Sequence, residues 1–232
     1  MKKTLRALTA LAAAFALTLT ACQAQPAAAV DTVQPAPSSQ AAESAPGPAQ
    51  EEGSHILIAY FSVPETDGVD TVSGASRVVV EGDVLGNNQY IAQLIHQETG
   101  GDLFRIETVQ AYPGTHSELL AFGHDEQAAG SRPQLAAEPE NLDSCDVVFL
   151  GYPIWNADLP MPLYTFLESY DLSGKTIVPF TVHGGSRFAG TIQTIQQLQP
   201  GAAVWEDGLS ISRSSVLDAP AAVTEWVGGL EL

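Results

Sequence analysis

The sequence predicts an α/β protein built on a doubly wound, five-stranded parallel sheet with helices on both faces. The first observation behind this prediction is that, from Ser54 onward, short apolar runs of strand length alternate with amphipathic or turn-rich segments. The second is that these runs are nearly continuous in apolar residues, as in parallel strands buried on both faces. Strands separated by helices form a parallel sheet with right-handed crossovers.

The first half of the predicted domain contains two strands and a helix. Residues 56–61 predict the first strand because they are apolar almost without interruption. Residues 89–99 predict a helix, since Ile91, Leu94 and Ile95 recur on one face. A mixed run over residues 103–109 predicts the second strand.

A long insertion separates the first strand from this helix. Within residues 63–85, the segment 77–84 predicts a small β-hairpin that turns at Glu81-Gly82. The hairpin would emerge at the carboxyl edge of the sheet. There it could cover a ligand, serve as a docking surface or be decoration without a function.

The second half continues the alternation of strands and helices. Residues 147–152 are fully apolar and predict the third strand, and residues 176–182 are rich in β-branched side chains and predict the fourth. Residues 202–211 are the candidate for the fifth strand. Helical patterns occupy residues 163–170, 190–198 and 219–230.

The N-terminal 53 residues predict export and tethering. Residues 1–21 combine three basic residues with a 15-residue apolar run, which is typical of a secretory signal peptide and too short to span a bilayer. The run ends in Leu19-Thr20-Ala21-Cys22, which resembles a bacterial lipobox and predicts lipidation of Cys22. An ordinary signal peptide with a chance cysteine and a core helix are the alternatives.

Residues 22–53 therefore begin with the lipidated cysteine and continue as a linker, and residues 54–232 form the folded domain. Positions 23–53 hold five prolines, nine alanines and no aromatic residue, so the segment cannot bury enough surface to offset its ordering entropy. We expect the domain to be lipid-anchored to the outer face of the cytoplasmic membrane or in the periplasm.

The charge of the chain excludes several partners. The formal net charge is -18, and three of the nine Lys and Arg residues lie in the predicted signal peptide. Six basic residues then face 27 acidic ones, which argues against binding to nucleic acid or directly to an anionic membrane surface. A protein partner is expected to offer a basic surface patch.

The histidines and Cys145 show no pattern that indicates a metal site or a reactive thiol. The histidines show no ligand spacing, so no metal site is expected. Cys145 stands beside Asp146 at the start of an apolar run and is interpreted as an inert, half-buried thiol. No G-x-S-x-G elbow is present, so the hydrolase interpretation of the fold lacks its nucleophile.

The candidate binding residues follow three strands, because ligands of doubly wound sheets bind at the carboxyl ends of strands where strand order reverses. All three loops combine small or amide residues with an aromatic residue, which suits a flat ligand with polar edges and a phosphate. The candidates are Ser62, Gly86, Asn87, Asn88 and Gln89 after the first strand; Pro153, Ile154, Trp155 and Asn156 after the third; and His183, Gly184, Gly185, Ser186 and Phe188 after the fourth.

These segments resemble the flavodoxin family, specifically a bacterial flavodoxin-like branch with a GYPIW loop. The resemblance covers roughly residues 55–230, and its segments occur in family order: ILIAYFS, LGNNQYIAQLI, DVVFLGYPIW, LPMPLYTFLESYDLSGKTIVPF and HGGS. It implies an FMN-binding sheet of strand order 2-1-3-4-5. A flavodoxin phosphate loop runs continuously as S/T-x-T-G-N-T, whereas here residues 63–85 intervene and Asn88 replaces the last Thr.

Each candidate loop has a functional interpretation and a structural one. The backbone N–H groups of residues 86–88, with the Ser62 hydroxyl, could bind a phosphate, or the asparagines could only cap the helix. Trp155 could stack on the isoalloxazine, as the family's aromatic residue does, or pack on a neighbouring helix. The loop over residues 183–186 could bind the pyrimidine carbonyls or be a simple tight turn.

The expected function is that of an FMN-dependent electron carrier, with no catalytic residue of its own. One alternative on the same fold is an FMN-dependent oxidoreductase that reduces quinones with a nicotinamide donor. Another is a flavin-free surface module, because one fold can support several functions.

Overall fold

The computed structural model describes residues 54–68 and 76–232. The predicted signal peptide, Cys22 and the linker lie outside the described residues, as does part of the insertion. Among the described residues, no helix is both long and apolar enough to cross a membrane.

Two sheets form within the described part of the chain. The strands of the larger sheet are β1 (Ile56–Tyr60), β4 (Asp102–Arg105), β5 (Val147–Pro153), β6 (Thr176–His183), β7 (Ala203–Val204) and β8 (Leu209–Ser212). The smaller sheet is an antiparallel hairpin of β2 (Arg77–Val80) and β3 (Asp83–Gly86), as predicted.

The larger sheet is parallel throughout and has the order β4-β1-β5-β6, and β7 and β8 lie end to end along the free edge of β6. When the hairpin is set aside and β7 and β8 are counted as one broken strand, this is the predicted order 2-1-3-4-5. The flavodoxin-like fold class is therefore confirmed.

Five α-helices lie within the described residues: α1 (Asn87–Thr99), α2 (His116–Ala129), α3 (Met161–Ser169), α4 (Thr191–Leu198) and α5 (Ala219–Gly228). Short 3-10 turns occupy Leu142–Ser144 and Arg213–Asp218. The apolar residues of α1 and α5 pack on one side of the sheet, and those of α3 and α4 pack on the other.

The alternation of side chains along β1 produces these two cores. Leu57, Ala59 and Phe61 join the core beneath α3 and α4, whereas Ile58 and Tyr60 join the core beneath α1 and α5. A strand buried on both faces needs apolar residues at every position, which explains the continuous apolar runs of the sequence.

The fifth predicted strand is interrupted where β6 contains Pro179. β7 pairs with Thr176 and Ile177, and β8 resumes pairing at Phe180. A Cβ atom at Gly208 would lie 2.3 Å from the Pro179 carbonyl oxygen, so this backbone approach requires glycine. Pro179 has no N–H to donate. Because of this interruption, Pro179 pairs with neither β7 nor β8.

The differences from the predicted elements include two boundaries and one additional helix. α1 begins at Asn87, two residues before the predicted helix. The second predicted strand ends at Arg105 rather than at residue 109, and Thr108 forms an isolated bridge with Leu135 instead. Helix α2 was not predicted from the pattern.

Candidate functional site

The carboxyl ends of β5 and β6 and the start of α1 enclose a cavity of about 130 Å³. Eight of the predicted residues line it: Asn87, Asn88, Pro153, Ile154, Trp155, Asn156, His183 and Gly184. The other six, Ser62, Gly86, Gln89, Gly185, Ser186 and Phe188, do not line it. The loops that the switch-point rule selected thus converge on one place in the fold.

The start of α1 directs its first N–H groups to protein acceptors. The Gly86 N–H donates to Gln89 Oε1 at 3.2 Å, and the Asn87 N–H donates to the Ser76 carbonyl at 3.0 Å. Asn88 is 1% exposed, and its Oδ1 accepts the Val182 N–H at 3.1 Å. The side chain of Asn88 therefore joins α1 to β6 across the floor of the cavity.

Ser62 lies behind this helix start. Its side chain is buried against Gly86, where a Cβ atom would come within 2.0 Å of Ser62 Oγ. Ser62 lines a second cavity on the β4 side, and its carbonyl accepts a hydrogen bond from Arg105 Nη2 at 3.2 Å. Glycine at position 86 allows β1 and α1 to approach closely.

The indole of Trp155 forms one wall of the cavity and is supported from behind. It makes edge-to-face contacts with Phe61, at 5.4 Å between ring centroids, and with Tyr112, at 5.7 Å. It also lies against Gly123 of α2. Trp155 thus packs on a neighbouring helix, as one of its two interpretations predicts, and it also lines the cavity.

A sharp turn built on His183 follows β6. The Gly185 N–H donates to His183 Nδ1 at 2.8 Å, and Gly185 has a φ of 134°, which glycine adopts readily. Burial, together with the nearby Arg187 charge, lowers the pKa of His183 below its usual value. The neutral imidazole therefore holds the turn.

The rest of this loop points away from the cavity. Ser186 is exposed. Phe188 packs edge-to-face on Tyr152 with 6.5 Å between ring centroids, next to Gly208. Phe188 is therefore part of the packing beneath α4 in this structure.

The cavity is also lined by residues that are not among the sequence candidates, including Glu65, Ser76, Gly123 and Arg213. Glu65 is 1% exposed, and its carboxylate accepts the Ser76 N–H at 2.5 Å and contacts His116 Nδ1 at 3.0 Å. Arg213 follows β8, so extending the switch-point rule to the last strand would have found it. No sequence signal marked the carboxylate within the insertion.

The histidines, the acidic residues and Cys145 form no further site of this kind among the described residues. Within the described ranges, no group of three or more His, Cys, Asp or Glu residues could hold a metal ion. Cys145 is 6% exposed, its Sγ donates to the Leu142 carbonyl at 3.2 Å, and burial raises the pKa of the thiol. A thiol in this state is a poor nucleophile.

A parallel sheet of this order, with its cavity at the carboxyl ends of the central strands, defines a doubly wound α/β protein with a ligand site at the topological switch point. A family model described as flavodoxin matches residues 77–230. The chain belongs to the flavodoxin family.

The solved structures that are similar to the chain include two from Bacteroides species. A candidate flavoprotein from Bacteroides eggerthii is 26% identical, with a TM-score of 0.55 over 74% of this chain and 98% of that one. A second, from Bacteroides uniformis, is 23% identical, with a TM-score of 0.54 over 76% of this chain and 99% of that one. No curated protein matches the chain.

Proposed function

We propose that this protein binds FMN in the cavity between α1, β5 and β6 and acts as an electron carrier. The observation that carries the proposal is the convergence of three loops on one cavity, with the indole of Trp155 as a wall. Membership of the flavodoxin family supports FMN as the ligand.

The residues of the cavity fit the chemistry of a flavin mononucleotide. An aromatic wall suits a flat ring, the Asn156 amide is a neutral hydrogen-bonding group, and Arg213 supplies a cation. The cavity volume of about 130 Å³ is below the roughly 300–1,000 Å³ of enclosed ligand pockets. Part of the cofactor would therefore remain at the protein surface.

An exposed part of the cofactor favours a carrier over an enzyme with an enclosed substrate pocket. Bound FMN would supply reversible electron transfer, and the chain would supply binding and electrostatics. Trp155 would hold the ring, and the His183 turn would shape the loop beside it. The formal charge of -18 would oppose the gain of negative charge on reduction and favour a partner with a basic surface.

A titration of the purified full chain with FMN tests this proposal. We expect a flavin absorption spectrum after purification, or uptake of added FMN with quenching of its fluorescence by the indole. A colourless protein that takes up no FMN would leave the flavin-free module as the function. Rapid oxidation of NADH or NADPH with quinone as acceptor would instead identify an oxidoreductase.

We also propose that Cys22 carries a lipid that anchors the protein outside the cytoplasmic membrane. The lipobox-like sequence and the Ala- and Pro-rich linker support this proposal. Replacing Cys22 with Ser should release the protein from the membrane fraction and remove the mass of the lipid. Unchanged partitioning and mass would contradict it.

A further inference from the structure

We propose that Arg213 binds the phosphate of the mononucleotide and thereby makes the site selective for FMN over riboflavin. The inference rests on the proposed function, because it names the residue that recognises the charged end of that ligand. Arg213 lies at the cavity and has no hydrogen-bond or ion-pair partner for its side chain among the described residues, and two of the donors at the start of α1 are already engaged.

Arg213 is placed at the cavity by the pairing of β8 with β6. His183 and Ser212 are opposite each other in this parallel pair, so Gly184 and Arg213 leave the sheet side by side. A Cβ atom at Gly184 would lie 2.9 Å from Arg213 Nη1. Glycine at position 184 thus leaves room for the guanidinium group in the cavity wall.

The guanidinium group of Arg213 makes no side-chain hydrogen bond or ion pair with the part of the chain that the structure describes. Arg105 and Arg132, by contrast, pair with Glu107 and Glu168. The donors of Arg213 are therefore available to a ligand, at a position that lines the cavity. Its planar fork of donors is suited to phosphate oxygens.

Two of the N–H groups at the start of α1 are already engaged in this structure. The Gly86 and Asn87 N–H groups already donate to Gln89 and Ser76. The Glu65 side chain also lines the cavity, and a carboxylate there repels a phosphate dianion. A cation is needed to offset this repulsion, and among the described residues Arg213 is the Lys or Arg side chain that lines the cavity.

The test compares FMN with riboflavin, which lacks the phosphate, in wild-type protein and in Arg213→Gln. We expect the Kd for FMN to rise about tenfold or more, as for loss of a hydrogen bond to a charged group, while the Kd for riboflavin changes less than about twofold. Arg213→Lys should retain part of the selectivity. Lys175→Gln removes an equal charge next to the amino end of β6, away from the cavity, and should leave both affinities near the wild-type values.

Any result other than this selective loss of FMN binding would contradict the inference. Equal losses for FMN and riboflavin would show that Arg213 acts on the ring or on the loop, and an unchanged FMN affinity would show that the phosphate lies elsewhere. If wild-type protein binds riboflavin and FMN equally, the phosphate is not recognised, although the flavin proposal stands. If it binds neither, the proposed function fails as well. Thermal unfolding of the ligand-free variants separates loss of binding from loss of folding.

Discussion

The indole of Trp155 lies directly against the backbone of Gly123, so that a Cβ atom at position 123 would come within 2.9 Å of the indole Cε3 atom. The α2 helix therefore supports one wall of the candidate flavin site from behind. This contact also explains a glycine in the middle of a helix, where glycine is otherwise unfavourable by about 1 kcal/mol relative to alanine.

Gly123→Ala should displace the indole. The added methyl group can only be accommodated if the ring shifts. Overpacking usually costs about 1–3 kcal/mol, and the higher helix propensity of alanine offsets about 1 kcal/mol of this, so we expect the free energy of unfolding to fall by up to about 2 kcal/mol. Denaturant unfolding and the tryptophan emission spectrum measure both effects. Gly228→Ala is the matched control, since no heavy atom lies within 4 Å of a Cβ atom there. Equal responses of the two variants would contradict the proposed contact.

Trp155→Ala should reduce both stability and flavin binding. Loss of the contacts with Phe61 and Tyr112 should lower the free energy of unfolding by about 2 kcal/mol or more, and loss of stacking should weaken FMN binding about two- to tenfold. Trp155→Phe should recover part of each loss. A drop in stability with unchanged FMN affinity and fluorescence would show that Trp155 only packs and does not contact the flavin.

Asn88→Ala should destabilise the fold through the Val182 N–H. That buried donor would lose its acceptor, at a cost of about 1–3 kcal/mol in the free energy of unfolding. Denaturant unfolding measures this cost. Gln193→Ala, at an exposed position of α4, is the control and should have little effect. A similar, small change in both variants would mean that the hydrogen bond between Val182 and Asn88 contributes nothing to the free energy of unfolding.

Stability should depend on the protonation of His183. Because burial lowers its pKa in the folded state, the unfolded chain takes up the proton first as the pH falls. The contribution to stability is therefore complete above the unfolded pKa, about 6.5, and is lost as the pH falls from there through the lower folded-state value. Unfolding of wild type and His183→Gln between pH 7.5 and 5.5 should show a steeper loss for wild type. Parallel curves would contradict the role of the neutral imidazole.

The way in which salt changes the electron-transfer rate of the FMN-bound protein should depend on the sign of the partner's charge. With a formal charge of -18, the reduced protein should react faster with the cation hexaammineruthenium(III) as the ionic strength is lowered, and with the anion ferricyanide as it is raised. Stopped-flow rates measured below and above about 0.1 M salt, where the Debye length is about 10 Å, provide the test. If the rates with both reagents do not change with ionic strength, this would argue against electrostatic steering.

The parallel strands could be predicted from sequence because burial on both faces leaves a continuous apolar run, as in β1 and β5. Helix α2 could not, since only Leu119 and Gly123 are buried along its 14 residues and its apolar periodicity is therefore weak. The break between β7 and β8 was also missed. It depends on the contact of Gly208 with Pro179, which are 29 positions apart.

The site residues at strand ends or at a helix start could be predicted from the switch-point rule. The residues that reach the site through the insertion could not. Asn88, Trp155 and His183 reach the cavity from strand ends or a helix start. Glu65 reaches it through the insertion and meets His116, 51 residues further along the chain. No local sequence pattern indicates such a contact, because it depends on where the insertion lies in the fold.

The interruption between β7 and β8 has a consequence for association between molecules. An unbroken edge strand offers a row of free backbone groups on which a second chain can add a strand, and this leads to aggregation. Here that edge of the sheet is divided into segments of two and four residues, with Glu206 and Asp207 between them. The proposed lipid anchor would concentrate the protein at a membrane surface, where it would meet its own copies often. The broken, acidic edge gives those encounters no continuous template for intermolecular β-pairing.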